Sequence, residues 1–91
     1  MKKVFKYAVP MADYFTLEAP KGAEFLSVQL QGPEVQVWAR VDPDAYVATY
    51  QFAVHGTGHK LSEFSENAPF IGTFQLHGGA LVFHLFGGLE A

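Results

Sequence analysis

Phe70-Ile71-Gly72-Thr73-Phe74-Gln75-Leu76-His77-Gly78-Gly79-Ala80-Leu81-Val82-Phe83-His84-Leu85-Phe86 decides the fold: two runs of alternating apolar residues flank a glycine pair. Two-residue hairpin turns need positive φ, which glycine adopts freely, so this pattern predicts a tight β-hairpin. Turning at Gly78-Gly79 sets Thr73 opposite His84. Side chains alternate across a strand, so Phe74, Leu76, Leu81, Phe83 and Leu85 share one face, expected to be core. Thr73, Gln75, His77, Val82, His84 and Phe86 share the other.

A second hairpin reads the same way around Gly32-Pro33. Leu26, Val28, Leu30, Val35, Val37 and Ala39 are expected inside. Phe25, Ser27, Gln29, Gln36, Trp38 and Arg40 are expected outside, with Trp38 across from Ser27. Farther along, Ala48, Tyr50, Phe52 and Val54 point inward and Thr49, Gln51 and His55 outward. Strands are predicted near Lys3–Val9, Tyr14–Glu18, Glu24–Gln31, Val35–Val41, Ala48–His55, Phe70–His77 and Ala80–Phe86. Pro20-Lys21-Gly22 and Asp42-Pro43-Asp44 supply further turns. The stretch from Leu61 to Asn67 holds at most one short helical turn, capped by Ser62. The expected fold is all-β: a single domain over 1–91, a small antiparallel β-sandwich or partly open barrel of about seven strands.

Composition narrows the function. The chain has 91 residues, nine of them phenylalanine, and no cysteine. Disulfides, thiolate metal sites and cysteine nucleophiles are excluded, and a reducing compartment suits the chain. Six basic residues face nine acidic ones, a net charge of −3. Duplex nucleic acid demands clustered cations, so it is not an expected partner, whereas one small nucleotide needs only a cation or two. No run approaches the roughly 20 apolar residues of a membrane span. The opening Met1-Lys2-Lys3-Val4-Phe5-Lys6-Tyr7 does not read as a secretory leader, because Lys6, Pro10 and Asp13 break the apolar stretch. A cytoplasmic protein with no membrane partner is expected.

Three constellations carry possible chemistry. Gly56-Thr57-Gly58-His59 follows a strand, and its glycines can turn backbone N–H groups towards an anion while Thr57 and His59 add donors. A plain glycine turn gives the same letters. Trp38 with Arg40 on a polar strand face can stack a planar group and meet its phosphate. The covers open to Trp38 are its own chain, a partner subunit or a ligand. Thr73, Gln75 and His84 form a third polar set, for which a cross-strand hydrogen bond is the simpler account. The four histidines lack the spacing of metal ligands, so no metal or cofactor is expected. No triad spacing or nucleophile elbow is present, and an enzyme is not expected.

The residues also carry a family likeness. Lys3-Val4-Phe5-Lys6-Tyr7, Leu17-Glu18-Ala19-Pro20-Lys21-Gly22-Ala23, Leu26-Ser27-Val28-Gln29, Trp38-Ala39-Arg40-Val41-Asp42-Pro43, Gly56-Thr57-Gly58-His59, Ile71-Gly72-Thr73-Phe74-Gln75 and Gly79-Ala80-Leu81-Val82-Phe83-His84 resemble a family of short, largely uncharacterised bacteriophage-encoded proteins. The likeness covers nearly the whole chain. Small phage proteins without catalytic motifs often act by binding, and many counter host defences. The resemblance therefore implies a homo-oligomeric sponge in the host cell cytoplasm, sequestering a nucleotide-derived immune signal of cyclic nucleotide or ADP-ribose type. Trp38, Arg40, Gly56, Thr57, Gly58, His59, Thr73, Gln75 and His84 are the expected ligand contacts. The competing expectation is a protein–protein module, an inhibitor of a host enzyme or a small phage accessory or structural protein, anchored by Trp38, Phe25 and Phe86.

Overall fold

A computed structural model describes residues 1–91. Seven strands run in chain order: β1 (Lys3–Ala8), β2 (Tyr14–Pro20), β3 (Glu24–Gln31), β4 (Glu34–Val41), β5 (Val47–Gly56), β6 (Phe70–Leu76) and β7 (Leu81–Glu90). The helix α1 (Glu63–Asn67) lies between β5 and β6. All strand pairings are antiparallel, in two open sheets ordered β1-β4-β3 and β2-β5-β7-β6. Of the two predicted architectures, the sandwich is the one formed.

The alternation that predicted the closing hairpin also sets its register, with Thr73 opposite His84 and Phe74 opposite Phe83. Its tip is wider than expected. Strand pairing ends at Leu76 and Leu81, and a 3-10 turn spans His77–Gly79. His77, expected in the strand, has φ 53°, an uncommon left-handed conformation for a residue with a Cβ. Beyond the predicted end at Phe86, β7 continues through Gly87-Gly88 to Glu90, because a bulge opposite Gln51 and Phe52 absorbs the glycines.

The second hairpin corrects one assignment. A bulge between Phe25 and Ser27 adds a residue to β3 and inverts the alternation below it. Leu26, expected inside, is 44% exposed, while Phe25, expected outside, enters the core. There the Phe25 ring meets Tyr50 at 5.2 Å and Phe52 at 4.8 Å, both edge-on. These contacts join the two sheets. Leu30 and Leu81 are each 43% exposed at hairpin tips, although their faces are the core ones.

Phe52 stacks on Phe15 at 5.1 Å, and around that pair gather Val28, Val35, Val37, Tyr50, Val54, Phe74 and Leu85. The Cα envelope of 40 × 31 × 16 Å is a thin slab, as two sheets about 10 Å apart require. The sheets meet closely where β3 passes β6. A Cβ placed on Gly72 would lie 2.9 Å from Val28 Cγ1, so only glycine lets the strands approach there.

Tyr50 ties the core to the β2–β3 turn. Its buried hydroxyl donates to the Pro20 carbonyl at 3.0 Å and accepts from the Ala23 N–H at 3.3 Å. Removing that hydroxyl leaves the turn closed only by the bond from the Ala23 N–H to the Pro20 carbonyl at 3.1 Å. Tyr50→Phe is expected to cost about 1–2 kcal/mol, read as a lower urea midpoint with an unchanged slope.

Candidate functional site

The β5–β6 connection builds the site, because it folds back over the outer face of the four-stranded sheet. Ser62 caps α1, its Oγ accepting from the Ser65 N–H at 3.2 Å and donating to Ser65 Oγ at 3.1 Å. Ser65 Oγ in turn lies 2.6 Å from His55 Nε2. The Ser65 hydroxyl proton is free to point at the imidazole, so this chain of bonds pins α1 to β5. Aromatic contacts complete the cover: Phe64 against Tyr14 at 5.9 Å, and Phe70 against Phe86 at 5.4 Å. His55 and Phe86, expected on an open face, are therefore partly covered by their own chain.

Ser65 and His55 have the spacing of a nucleophile and its base. Two features set them apart from a working pair. Ser65 is 2% exposed, and no carboxylate hydrogen-bonds the other His55 nitrogen. Their role here is to hold the helix.

Past His55 the chain turns at Gly56-Thr57-Gly58-His59, closed by a hydrogen bond from the His59 N–H to the Gly56 carbonyl at 3.1 Å. Gly58 takes φ 83°, which such a turn requires at its third position. The His59 imidazole folds over Gly56, where a Cβ would stand 3.0 Å from two of its ring atoms. The Thr57 N–H continues the sheet ladder to the Val82 carbonyl at 3.2 Å. A groove of about 320 Å³ opens between this turn and the start of β7. Gly56, Thr57 and His59 line one side; Ala80, Leu81, Val82 and Phe83 line the other. It is an apolar wall with a hydroxyl and an imidazole at its rim.

Thr57 connects the groove to the third predicted set. His84 Nε2 lies 2.7 Å from Thr57 Oγ1, and His84 Nδ1 lies 2.8 Å from Thr73 Oγ1. A neutral imidazole donates through one nitrogen and accepts through the other, so the two threonines satisfy the ring completely. Gln75, two residues from Thr73 on the same face, holds its Oε1 over Gly79, 3.2 Å from where a Cβ would sit. Seven of the nine expected contacts thus gather at one end of the four-stranded sheet: Gly56, Thr57, Gly58, His59, Thr73, Gln75 and His84.

Trp38 and Arg40 do not join them. Both lie on β4, in the other sheet. Val37 is core, so Trp38 points outward from the opposite side of the sandwich. The sequence pattern shows which residues leave the core but not which of two outer faces receives them. Trp38 is covered in part by its own chain: Lys6 Nζ lies 5.8 Å from the ring centroid and hydrogen-bonds Gln31. Arg40 and Lys2 each reach Glu24 at 3.5 Å, exposed pairs worth little individually.

Two titrations away from the groove are displaced. Burial holds the Tyr7 phenol above its ordinary value, and nearby Tyr50 adds to the effect. The Glu90 carboxylate, at 2.7 and 2.8 Å, holds the Lys21 ammonium above its own. No group of three or more His, Asp or Glu side chains converges where a metal would be held. No helix is long and apolar enough to cross a membrane.

The sequence reading missed one wall of the groove. Leu81 and Phe83 sit on the core face of the hairpin, and only the four-residue tip exposes their outer parts beside Gly56–His59. Comparison with curated proteins and with solved structures finds no match. One family model matches residues 1–91, and the chain belongs to that family, described as a domain of unknown function, DUF7352.

Proposed function

We propose that this chain is a non-enzymatic binding protein that takes a small nucleotide-derived ligand into the groove between the Gly56–His59 turn and β7. The groove itself carries the reading. Its volume of about 320 Å³ stands at the small end of the roughly 300–1,000 Å³ range of ligand sites. Ala80, Leu81, Val82 and Phe83 supply the apolar wall of the groove. The Thr57 hydroxyl and the His59 imidazole offer polar contacts at the rim, and the glycine turn leaves backbone close to a ligand. The neighbours support holding rather than turning over the ligand. Both His84 nitrogens are engaged by threonines, and Ser65 is buried. Sequestration of an immune signal in an infected host cell is the role that the phage resemblance adds to this chemistry.

The protein–protein reading has less support: Phe25 is in the core, Trp38 is partly covered by Lys6, and Phe86 packs on Phe70 and His55. Thermal unfolding against cyclic dinucleotides and ADP-ribose derivatives tests the proposal. At 100 times its dissociation constant a ligand adds about 2.7 kcal/mol, a rise of about 10 °C or more in a domain this small. No shift with any member of the panel would remove the nucleotide assignment.

A further inference from the structure

The sandwich is closed on one side, where β3 meets β6 at Gly72, and open on the other, where β1 and β2 are the free edges. Hydrogen bonds near the strand ends fix which residues face outward. The Val9 N–H bonds the Val35 carbonyl, the Val54 N–H bonds the Asp13 carbonyl, and the Lys21 N–H bonds the Tyr46 carbonyl. Backbone groups in an antiparallel pair alternate between the neighbour and the free side. The free N–H and carbonyl groups therefore belong to Val4, Lys6 and Ala8 on β1, and to Tyr14, Thr16 and Glu18 on β2.

Side chains follow the same alternation. Lys6 lies beside Trp38 on an outer face, and Tyr14, Thr16 and Glu18 are exposed on the other outer face. Phe5, Tyr7, Phe15 and Leu17 belong to the inner rows, and Phe5 is 37% exposed for want of a neighbour. An edge of one kind can thus extend an edge of the other with inner rows meeting inner rows. Charge favours this pairing over like with like. Lys2, Lys3 and Lys6 place positive charge along β1, with the Lys2 and Lys6 ammonium groups turned over β4 towards Glu24 and Gln31, and Asp13 and Glu18 mark the β2 edge. Two β1 edges would set lysines against lysines.

We infer that a second copy of this chain docks across the open side about a two-fold axis, β1 of each copy pairing antiparallel with β2 of the other. Lys6 then stands opposite the partner's Thr16 and diagonal to the partner's Glu18. Each three-stranded sheet continues into the partner's four-stranded sheet, and both pairs of edges close at once. Edge lysines often guard a strand against pairing, but here the complementary edge carries the opposite sign. With only 18 of 91 residues buried, the chain has apolar surface to gain by association. The inference is independent of the ligand groove, which is lined by the Gly56–His59 turn and the start of β7 and by no residue of β1 or β2.

Light scattering on the eluted full chain is expected to give twice the 10.0 kDa chain mass. Thr16→Pro removes an N–H that points away from its own sheet, so the fold should survive while the mass falls to that of one chain. Lys6→Glu and Glu18→Lys should each raise the dimer dissociation constant about tenfold or more, since each change occurs twice in a two-fold interface. The double exchange should restore it. A single-chain mass at every concentration tried, or a dimer indifferent to all three substitutions, would overturn the inference.

Discussion

Gly87→Ala is expected to abolish folding or to leave a barely stable chain. Gly87 sits in β7 opposite Phe52, with φ 128°, a conformation essentially reserved for glycine. A Cβ there would lie 2.3 Å from the Gln51 carbonyl oxygen and 2.7 Å from Phe52 Cα. Both are backbone atoms in the central pairing of the sheet, so no side-chain rotation relieves the clash. The Gly87 N–H also holds the Pro69 carbonyl at 2.9 Å, which positions the strand after α1. Strain, overlap and a displaced bond together should cost upwards of about 4 kcal/mol. A domain this size has roughly 5–14 kcal/mol in all. Urea unfolding followed by circular dichroism reads the loss, with Gly32→Ala as the contrast. A Cβ at Gly32 meets nothing within 4 Å, so only its backbone strain of about 1–2 kcal/mol should appear.

Phe52→Ala is the second large effect, about 3–5 kcal/mol. The ring is fully buried and stands between Phe15, stacked at 5.1 Å, and Phe25, edge-on at 4.8 Å. Phe25 belongs to the other sheet, so truncation removes a contact between the layers as well as leaving a cavity. The midpoint of urea unfolding should fall steeply with little change in slope. Phe52→Leu, which keeps most of the volume, should recover more than half of the loss. Equal losses for both would mean that the ring stacking, not the filled space, holds the sheets together.

How much of this was legible beforehand depended on where strict alternation held. In the closing hairpin it was uninterrupted from Thr73 to Leu85, and the register followed directly. At Phe25 and Leu26 the letters alternate just as well, but the bulge reverses their meaning, and nothing in a run of apolar residues marks the extra residue. The meeting of Thr73 and His84 follows from the hairpin register and was readable, whereas Thr57 arrives through the pairing of β5 with β7, which no local pattern marks. The placement of Trp38 was not, because period-two alternation says inside or outside and stays silent on which sheet. Nor did Leu61–Asn67 reveal that it covers an outer face. Its cap was visible in Ser62, whereas the bond from Ser65 to His55 is a tertiary contact.

Amide chemical-shift mapping tests whether the groove is the ligand site. The isotope-labelled chain would be titrated with whichever cyclic dinucleotide or ADP-ribose derivative gives the largest thermal shift. Shifts concentrated at residues 56–59 and 80–83, and abolished by His59→Ala but not by Trp38→Ala, are the predicted result. Shifts centred on Trp38 and Arg40, with the 56–59 turn unmoved, would contradict it.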